Sequence, residues 1–129
     1  MKDVRFRAWI RKENAMYMVK KLEFDGELSK VIVEKGGKMV EYLPREVELM
    51  QYTGIRDNDG TEIYEGDIVK VLGKENQLFG YIWYNGYYFT VNLHNVPGAD
   101  NWPIMKEENI KSMDVIGNIY ENSTLIKPK

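Results

Sequence analysis

The sequence predicts a mainly β protein, in which an N-terminal β-hairpin or meander is followed by a small barrel. Apolar and polar residues alternate with period two in several short segments, the pattern of half-buried strands, and clusters of Gly, Asn and Asp separate these segments. Segments with helical periodicity are short or absent. Hydrophobic residues make up 43% of the 129 positions, which is enough to build a core.

The hairpin or meander is predicted over residues 1–48. A strand over Val4–Ile10 has one apolar face, and its other face carries Arg5, Arg7 and Trp9. The elements predicted next are a strand at Met16–Phe24, a turn at Asp25–Glu27, a strand at Leu28–Val33, a hairpin turn at Gly36-Gly37 and a strand at Met39–Tyr42.

The central segment combines a strand with a tight turn. Pro44 breaks the preceding pattern, and Arg45–Leu49 is either one helical turn or the lead-in to a strand that ends at Tyr52. Gly54 then interrupts the alternation. Asp57–Gly60 is predicted to be a turn, because Asn and Asp tolerate left-handed backbone and Gly adopts positive φ without strain.

A second turn at Glu65–Asp67 precedes the β-branched strand Ile68–Val71. A Gly-Asp turn that leads into an Ile/Val strand is common at the start of SH3-like barrels, so an SH3-like barrel is predicted over residues 49–129 by analogy of fold. A last strand at 113–121, with a bulge at Gly117, is expected to close the barrel.

A hairpin is predicted where Leu78–Tyr84 and Tyr87–Val91 flank Asn85-Gly86, because Asn-Gly is typical of a two-residue type I′ turn. The segment after it, Asn92–Pro103, is predicted to be irregular. Lys106–Lys111 is predicted to form a helical turn.

Seven aromatic residues crowd the predicted hairpin between Phe79 and Phe89. A small barrel has one interior, so about half of these side chains are expected to point outward. The chain has no Lys or Arg from Glu75 to Asn101, and charged residues are depleted in interface cores. We therefore predict a symmetric homo-oligomer with Tyr84 and Tyr88 as the leading subunit contacts.

Composition excludes several classes of protein. The chain has no Cys, which removes disulfides, thiolate nucleophiles and Cys-based zinc sites. Its N-terminus is charged and alternating, unlike a signal peptide, and no segment approaches the ~20 apolar residues that a membrane span needs. We therefore expect a cytoplasmic protein without membrane contact.

A catalytic site is difficult to assemble from these residues. His94 is the only histidine and falls in the predicted irregular loop, where a hydrogen-bonding role is expected. Glycines do not fall at the spacings of a P-loop or a dinucleotide fingerprint. We predict no enzyme, no catalytic residue and no cofactor. Carboxylate pairs leave acid–base hydrolysis on an unrecognised scaffold as an open alternative.

Acidic residues between Asp57 and Asp67 invite comparison with a calcium-binding loop. Aligned on an EF-hand, Ile55 falls at the first ligand and Gly66 falls where a bidentate Glu is required. Neither residue can supply that ligand, so no metal site is predicted. These acids are instead expected to stabilise turns.

Charge is distributed unevenly along the chain. Residues 1–48 carry eleven Lys/Arg and nine Asp/Glu, and residues 49–129 carry seven and eleven, which gives the total of −2. Because nucleic-acid affinity depends on phosphate contacts, the aromatic hairpin in the acidic half is not expected to bind nucleic acid.

The basic and aromatic side chains of the first strand form the one cluster that suits an anionic partner. Arg5, Arg7 and Trp9 share a predicted face, and Lys20 and Lys21 lie on the strand that pairs with it. The alternatives are a solvated face on which Arg stems cover Trp9, and a subunit interface.

Three segments resemble the YopX family of bacteriophage and prophage proteins, and together they frame almost the whole chain. They are Arg5–Trp9, Met50–Val69 and Val115–Asn122. The resemblance implies an SH3-like C-terminal half, a phage origin and an oligomer, and it brings no catalytic residue. The motif residues expected to be structural are Tyr52, Gly54, Gly60, Gly66, Asp67 and Gly117.

The favoured function is that of a non-enzymatic phage or prophage accessory protein that acts by binding proteins. Its expected partners are further copies of itself and an unidentified host or phage protein. The alternative is a nucleic-acid-associated protein that uses the basic face of the first strand.

Overall fold

The computed structural model describes residues 4–72, 77–93, 102–103 and 113–125. These residues form two antiparallel sheets, and the described part of the chain contains no α-helix, which confirms the prediction of a mainly β protein. The strands are β1 (Phe6–Ile10), β2 (Ala15–Asp25), β3 (Glu27–Lys35), β4 (Lys38–Tyr42), β5 (Val47–Arg56), β6 (Glu62–Tyr64), β7 (Asp67–Leu72), β8 (Gln77–Tyr84), β9 (Phe89–Leu93), β10 (Trp102–Pro103) and β11 (Met113–Asn118). Two 3-10 turns lie at Pro44–Glu46 and Ser123–Leu125.

One sheet has the strand order β4-β3-β2-β1-β5-β6, and the other has the order β10-β9-β8-β7-β11. The chain divides into two compact units, Met1–Tyr52 and Thr53–Lys129, and strand β5 runs through the boundary between them. The pairings of the described strands are those of open sheets. The division into an N-terminal domain at 1–48 and a barrel domain at 49–129 stays a prediction.

The first unit builds its core on one face of the sheet, where apolar residues oppose each other across neighbouring strands. Ala8 pairs with Tyr17 on β2 and with Leu49 on β5, and Val33 pairs with Val19 and Val40. Such cross-strand pairs are the unit of sheet stabilisation. The buried residues of this core are Ala8, Ile10, Val31, Val33 and Val47.

The second unit has its own core, made by β-branched and apolar side chains of several strands. The buried residues are Ile63, Val69, Val71, Ile82, Val91 and Met113. Gly80 lets β8 and β9 approach, since a Cβ atom there would lie 2.5 Å from the carbonyl oxygen of Asn92. Any larger residue at position 80 would therefore push the two strands apart.

The central segment contains both of the elements that the sequence left as alternatives. Pro44–Glu46 forms a 3-10 turn, in which the Leu43 amide donates to Glu46 Oε1 at 2.7 Å, and the strand begins directly after it. The prediction that this strand ends at Tyr52 was wrong. β5 continues to Arg56 because Gly54 adopts a φ of +86° inside the strand, which bends the backbone without ending it.

The bulge predicted at Gly117 is confirmed, because the register between β11 and β7 shifts between Val115 and Gly117. The predicted irregular segment 92–103 is described only in part, and there Trp102–Pro103 forms the short strand β10 beside β9. The helical turn predicted at Lys106–Lys111 and the residue His94 lie outside the described residues. No helix in the described part of the chain is long and apolar enough to cross a membrane.

Candidate functional site

The hairpin between β8 and β9 has a four-residue loop, so the predicted two-residue type I′ turn was wrong. Tyr84 pairs with Phe89, and the loop comprises Asn85–Tyr88. The Asn85 side chain explains the difference, because its Oδ1 accepts hydrogen bonds from the amides of Tyr87 at 2.9 Å and Tyr88 at 3.0 Å. Asn85 thereby folds the backbone of its own loop, and only Gly86 has positive φ there.

The loop and the strand ends beside it present four aromatic side chains to solvent. Their exposed fractions are 49% for Trp83, 44% for Tyr84, 90% for Tyr87 and 37% for Tyr88. We call these four residues the aromatic tip. The Tyr84 ring packs on Phe89 at 5.1 Å between centroids, which orders one side of the tip.

The hairpin is anchored through its other side chains. Ile82 and Val91 are fully buried in the core of the second unit, and Thr90 is also fully buried. No charged residue occurs anywhere from Gln77 to Leu93. The aromatic tip is therefore a set of exposed aromatic side chains at the uncharged end of a hairpin that is packed into the core.

The predicted basic face of β1 is only partly a solvent-exposed surface. Trp9 is buried, with 8% of its surface exposed. Arg7 is half-buried, and the guanidinium carbon of Arg5 lies 4.4 Å from the ring centroid of Tyr52. The structure brings Arg5 together with Lys20 and Lys21 at one groove and leaves Trp9 out of it.

The acidic turn is tied together by Asp57, whose side chain is buried. Its Oδ1 accepts hydrogen bonds from the amides of Asp59 at 2.9 Å and Thr61 at 2.8 Å. Its Oδ2 accepts the amide of Val115 on β11 at 2.9 Å. Asp57 thus closes its own turn and connects it to a strand that lies 58 residues further along the chain.

Carboxylate oxygens of Asp57, Asp59 and Asp114 lie within 4.8 Å of one another, which is the spacing of a possible ligand set for a hard cation. Both oxygens of Asp57 already accept backbone amides, and this accounts for the burial of its carboxylate. The geometry therefore gives the Asp57 carboxylate a structural role in the turn.

A polar network that the sequence analysis missed joins the turn after β1 to the β3–β4 hairpin. Lys35 Nζ donates to Glu13 Oε1 at 2.7 Å and to the Tyr42 hydroxyl at 3.1 Å, and the Tyr42 hydroxyl donates to Glu13 Oε2. Tyr17 donates to Glu13 Oε1 at 3.1 Å. The partners lie up to 29 residues apart in the chain, so no local pattern signals the network.

The network changes the acid–base behaviour of its members. The hydrogen bond from Lys35, followed by that from Tyr42, lowers the pKa of the Glu13 carboxyl. The hydrogen bond to Glu13 raises the pKa of Lys35, and partial burial, followed by the Glu13 carboxylate, raises the pKa of Tyr42. Each shift favours the protonation state that the group has in the network, namely an ionised Glu13, a charged Lys35 and a neutral Tyr42.

A family model described as the YopX protein matches residues 5–127. This chain belongs to the YopX family. Two solved structures resemble this chain in fold. Protein EF1440 from Enterococcus faecalis has 23% identity and a TM-score of 0.68, with 98% of this chain and 100% of that chain covered. Protein yopX from Bacillus subtilis has 20% identity and a TM-score of 0.67, with 97% of each chain covered. No curated protein matches the sequence.

The YopX motif residues Gly66 and Asp67, in the centre of the chain, form hydrogen bonds to the backbone of several neighbouring segments. Gly66 has a φ of +83°, its amide donates to the carbonyl of Ile82 at 2.8 Å, and its carbonyl accepts the amide of Ile119 at 2.8 Å. Asp67 is buried, and its Oδ2 accepts the amide of Tyr64 at 2.8 Å. The Gly-Asp pair therefore links β6, β8 and the end of β11.

The last YopX segment, Val115–Asn122, forms a second set of hydrogen bonds with the backbone. Asn118 Oδ1 accepts the amides of Tyr120 at 3.0 Å and Glu121 at 2.9 Å, and Asn122 Oδ1 accepts the amide of Asn118 at 3.1 Å. A Cβ atom at Gly117 would lie 2.5 Å from Asn122 Oδ1, so a larger residue there would displace the Asn122 side chain from its hydrogen bond to Asn118. In the first unit, the motif residue Tyr52 is buried, with 5% of its surface exposed.

Proposed function

We propose that this protein is a non-enzymatic phage or prophage accessory protein that acts by binding proteins through the aromatic tip. One observation carries the proposal: four aromatic side chains are exposed at the end of an uncharged hairpin that Ile82 and Val91 fix in the core. Tyr and Trp supply large contact areas at low entropic cost, which is why they dominate binding hot spots.

The first partner that we propose is a second copy of this chain, with Tyr84 and Tyr88 at the contact. An uncharged patch carries no like-charge repulsion when two copies meet, although the whole chain has a net charge of −2. An aromatic side chain can bury ~150–250 Å², so four side chains that are about half exposed offer roughly 400 Å² on each copy. That is about half of the ~800 Å² per partner of a standard interface, so reversible association is expected.

Self-association is tested by light scattering across concentrations from low to high micromolar. The wild-type protein should gain mass as its concentration rises, and Tyr87→Ser plus Tyr88→Ser should remain monomeric. The loop backbone is held by Asn85, so this variant should fold normally. Phe24→Ser is the matched control, because Phe24 is 68% exposed on the first unit, and it should associate like the wild type.

A wild-type mass equal to that of the monomer at every concentration would contradict self-association.

A host or phage partner is a further part of the proposal. Such a protein should be retained from a cell extract by immobilised wild type and by Phe24→Ser, and should be lost with the Tyr87/Tyr88 variant. We also propose a location in the cytoplasm of a bacterial host cell, which the family resemblance supports.

We also propose that the second unit has an SH3-like form in which the sheet closes on itself. Two contacts support closure: the Asn58 amide donates to the Met113 carbonyl at 3.2 Å, and Asp57 accepts the Val115 amide. Both contacts attach the β5–β6 connection to the edge strand β11. A crystal structure in which this connection stands away from β11 would contradict the closed form.

A further inference from the structure

A groove opens in the first unit where β1 and β2 cease to pair. Their last paired residues are Arg7 and Met18, but β2 continues for seven residues to Asp25. Along Val19–Asp25, β2 pairs with β3 on one side, and no described strand continues the pairing on the other side. A strand edge of this kind offers backbone hydrogen-bonding groups to another chain.

The groove lies between this edge and the segment Val4–Phe6, and its volume is about 580 Å³. Apolar side chains form a large part of its lining, and two of them are unusually exposed. Val4 has 62% of its surface exposed and Met18 has 43%. Exposed apolar residues beside an open strand edge are a feature of binding surfaces.

The charged lining of the groove is predominantly basic. Among the residues that the structure describes, Arg5, Lys20 and Lys21 line it together with one carboxylate, that of Glu34. Lys20 lies 3.9 Å from Glu34, and Lys21 lies 3.5 Å from Glu23, at sites where the Lys side chains are half or more exposed. Exposed pairs of this kind contribute little, so both lysines can exchange their partners for the carboxylates of a ligand.

We propose that this groove binds an extended, acidic segment of a partner protein, which adds to the sheet as a strand along Val19–Leu22. Main-chain hydrogen bonds to the β2 edge would supply affinity. Side chains that alternate along the added strand would place apolar groups against Val4 and Met18 and carboxylates near Lys20 and Lys21. This surface is on the first unit and does not depend on the aromatic tip.

The probe is a fluorescent peptide of alternating Glu and Val, with a peptide of alternating Lys and Val as its charge-reversed counterpart. Fluorescence anisotropy should detect binding of the Glu peptide to the wild type and weaker binding of the Lys peptide. The double variant Lys20→Glu plus Lys21→Glu should weaken Glu-peptide binding by about tenfold or more and should improve Lys-peptide binding. The matched control is Lys12→Glu plus Lys38→Glu, which reverses two exposed lysines outside the groove and should change neither affinity.

A second measurement separates strand addition from simple charge attraction. Hydrogen exchange should slow at the amides of Val19–Leu22 when the Glu peptide is bound, because added backbone hydrogen bonds protect them. The proposal is overturned if the Glu peptide fails to bind at millimolar concentration, or if its binding survives the Lys20/Lys21 reversal. It is also overturned if a single-stranded oligonucleotide binds the groove in preference to the Glu peptide, which would favour the nucleic-acid alternative.

Discussion

At the scale of single residues, the motif that this chain shares with its family is a set of backbone requirements. Gly66 and Gly60 have positive φ, and Gly117 lies where any Cβ atom would collide with Asn122. Asp57 and Asp67 accept backbone amides with buried carboxylates. These residues therefore fix the backbone of the second unit.

Gly60 gives a direct test of this interpretation. Its φ is +86°, and no atom lies within 4 Å of the place where a Cβ would be, so a substitution there acts through the backbone alone. Gly60→Val should reduce the free energy of unfolding by roughly 1–3 kcal/mol. Gly60→Asn should cost less, because Asn tolerates left-handed backbone. Urea denaturation measures both, and equal stability of all three proteins would refute the assignment.

At the scale of strands and turns, side chains from distant segments hold the elements in register. The Glu13–Lys35–Tyr42 network joins the turn after β1 to the β3–β4 hairpin. On the other side of β1, Arg11 Nε donates to Glu48 Oε1 on β5 at 2.9 Å. The first unit therefore has polar connections across the ends of its strands in addition to its apolar core.

The Glu13 network predicts a specific dependence of stability on pH. The pKa of Glu13 is lower in the folded state, so its contribution to stability is present above the unfolded pKa of ~4.3 and is lost as the pH falls through the folded pKa. The pKa of Lys35 is raised, so its contribution is lost only at strongly alkaline pH. Glu13→Gln should therefore lower the melting temperature at neutral pH, and its difference from the wild type should shrink below about pH 4.

Thermal melts of the wild type and of Glu13→Gln across acidic and neutral pH provide the measurement. Glu27→Gln is the matched control, because Glu27 is an exposed glutamate at the β2–β3 turn outside the network, and it should leave the profile unchanged. A constant difference between Glu13→Gln and the wild type at all pH values would contradict the proposed ion pair.

At the scale of the whole molecule, the two proposed surfaces differ in their chemistry. The aromatic tip lies on the second unit, on a hairpin without charged residues. The groove lies on the first unit, and the described part of its lining contains three cations and one carboxylate. The uneven distribution of charge along the sequence, with its basic first third and acidic remainder, is consistent with this difference.

Salt should therefore separate the two binding activities. Self-association through the aromatic tip should stay constant or strengthen as the salt concentration rises, since apolar contacts are not screened. Binding of the alternating Glu peptide to the groove should weaken in the same series, because its charge pairs are exposed. Light scattering and anisotropy at low and high sodium chloride measure both. Self-association that weakens steeply with salt would assign it to a charged surface.

The sequence by itself determined the elements whose signals are local. Alternation over Val4–Ile10 predicts β1, the bulge at Gly117 follows from a glycine within a strand, and the lack of helical periodicity predicts a mainly β fold. These features depend on the chemistry of neighbouring residues in the chain, which a single sequence displays directly.

Only the tertiary structure decided which side chains meet and which remain in solvent. Asn85 reshapes its loop through two backbone hydrogen bonds and so moves Tyr87 and Tyr88 out of strand β9, where alternation had placed them. The groove exists because β2 extends beyond the residues that pair with β1. Three features depend on contacts between segments that are distant in the chain: the burial of Trp9, the Glu13 network and this groove. Contacts of this kind produce no periodic pattern in the sequence.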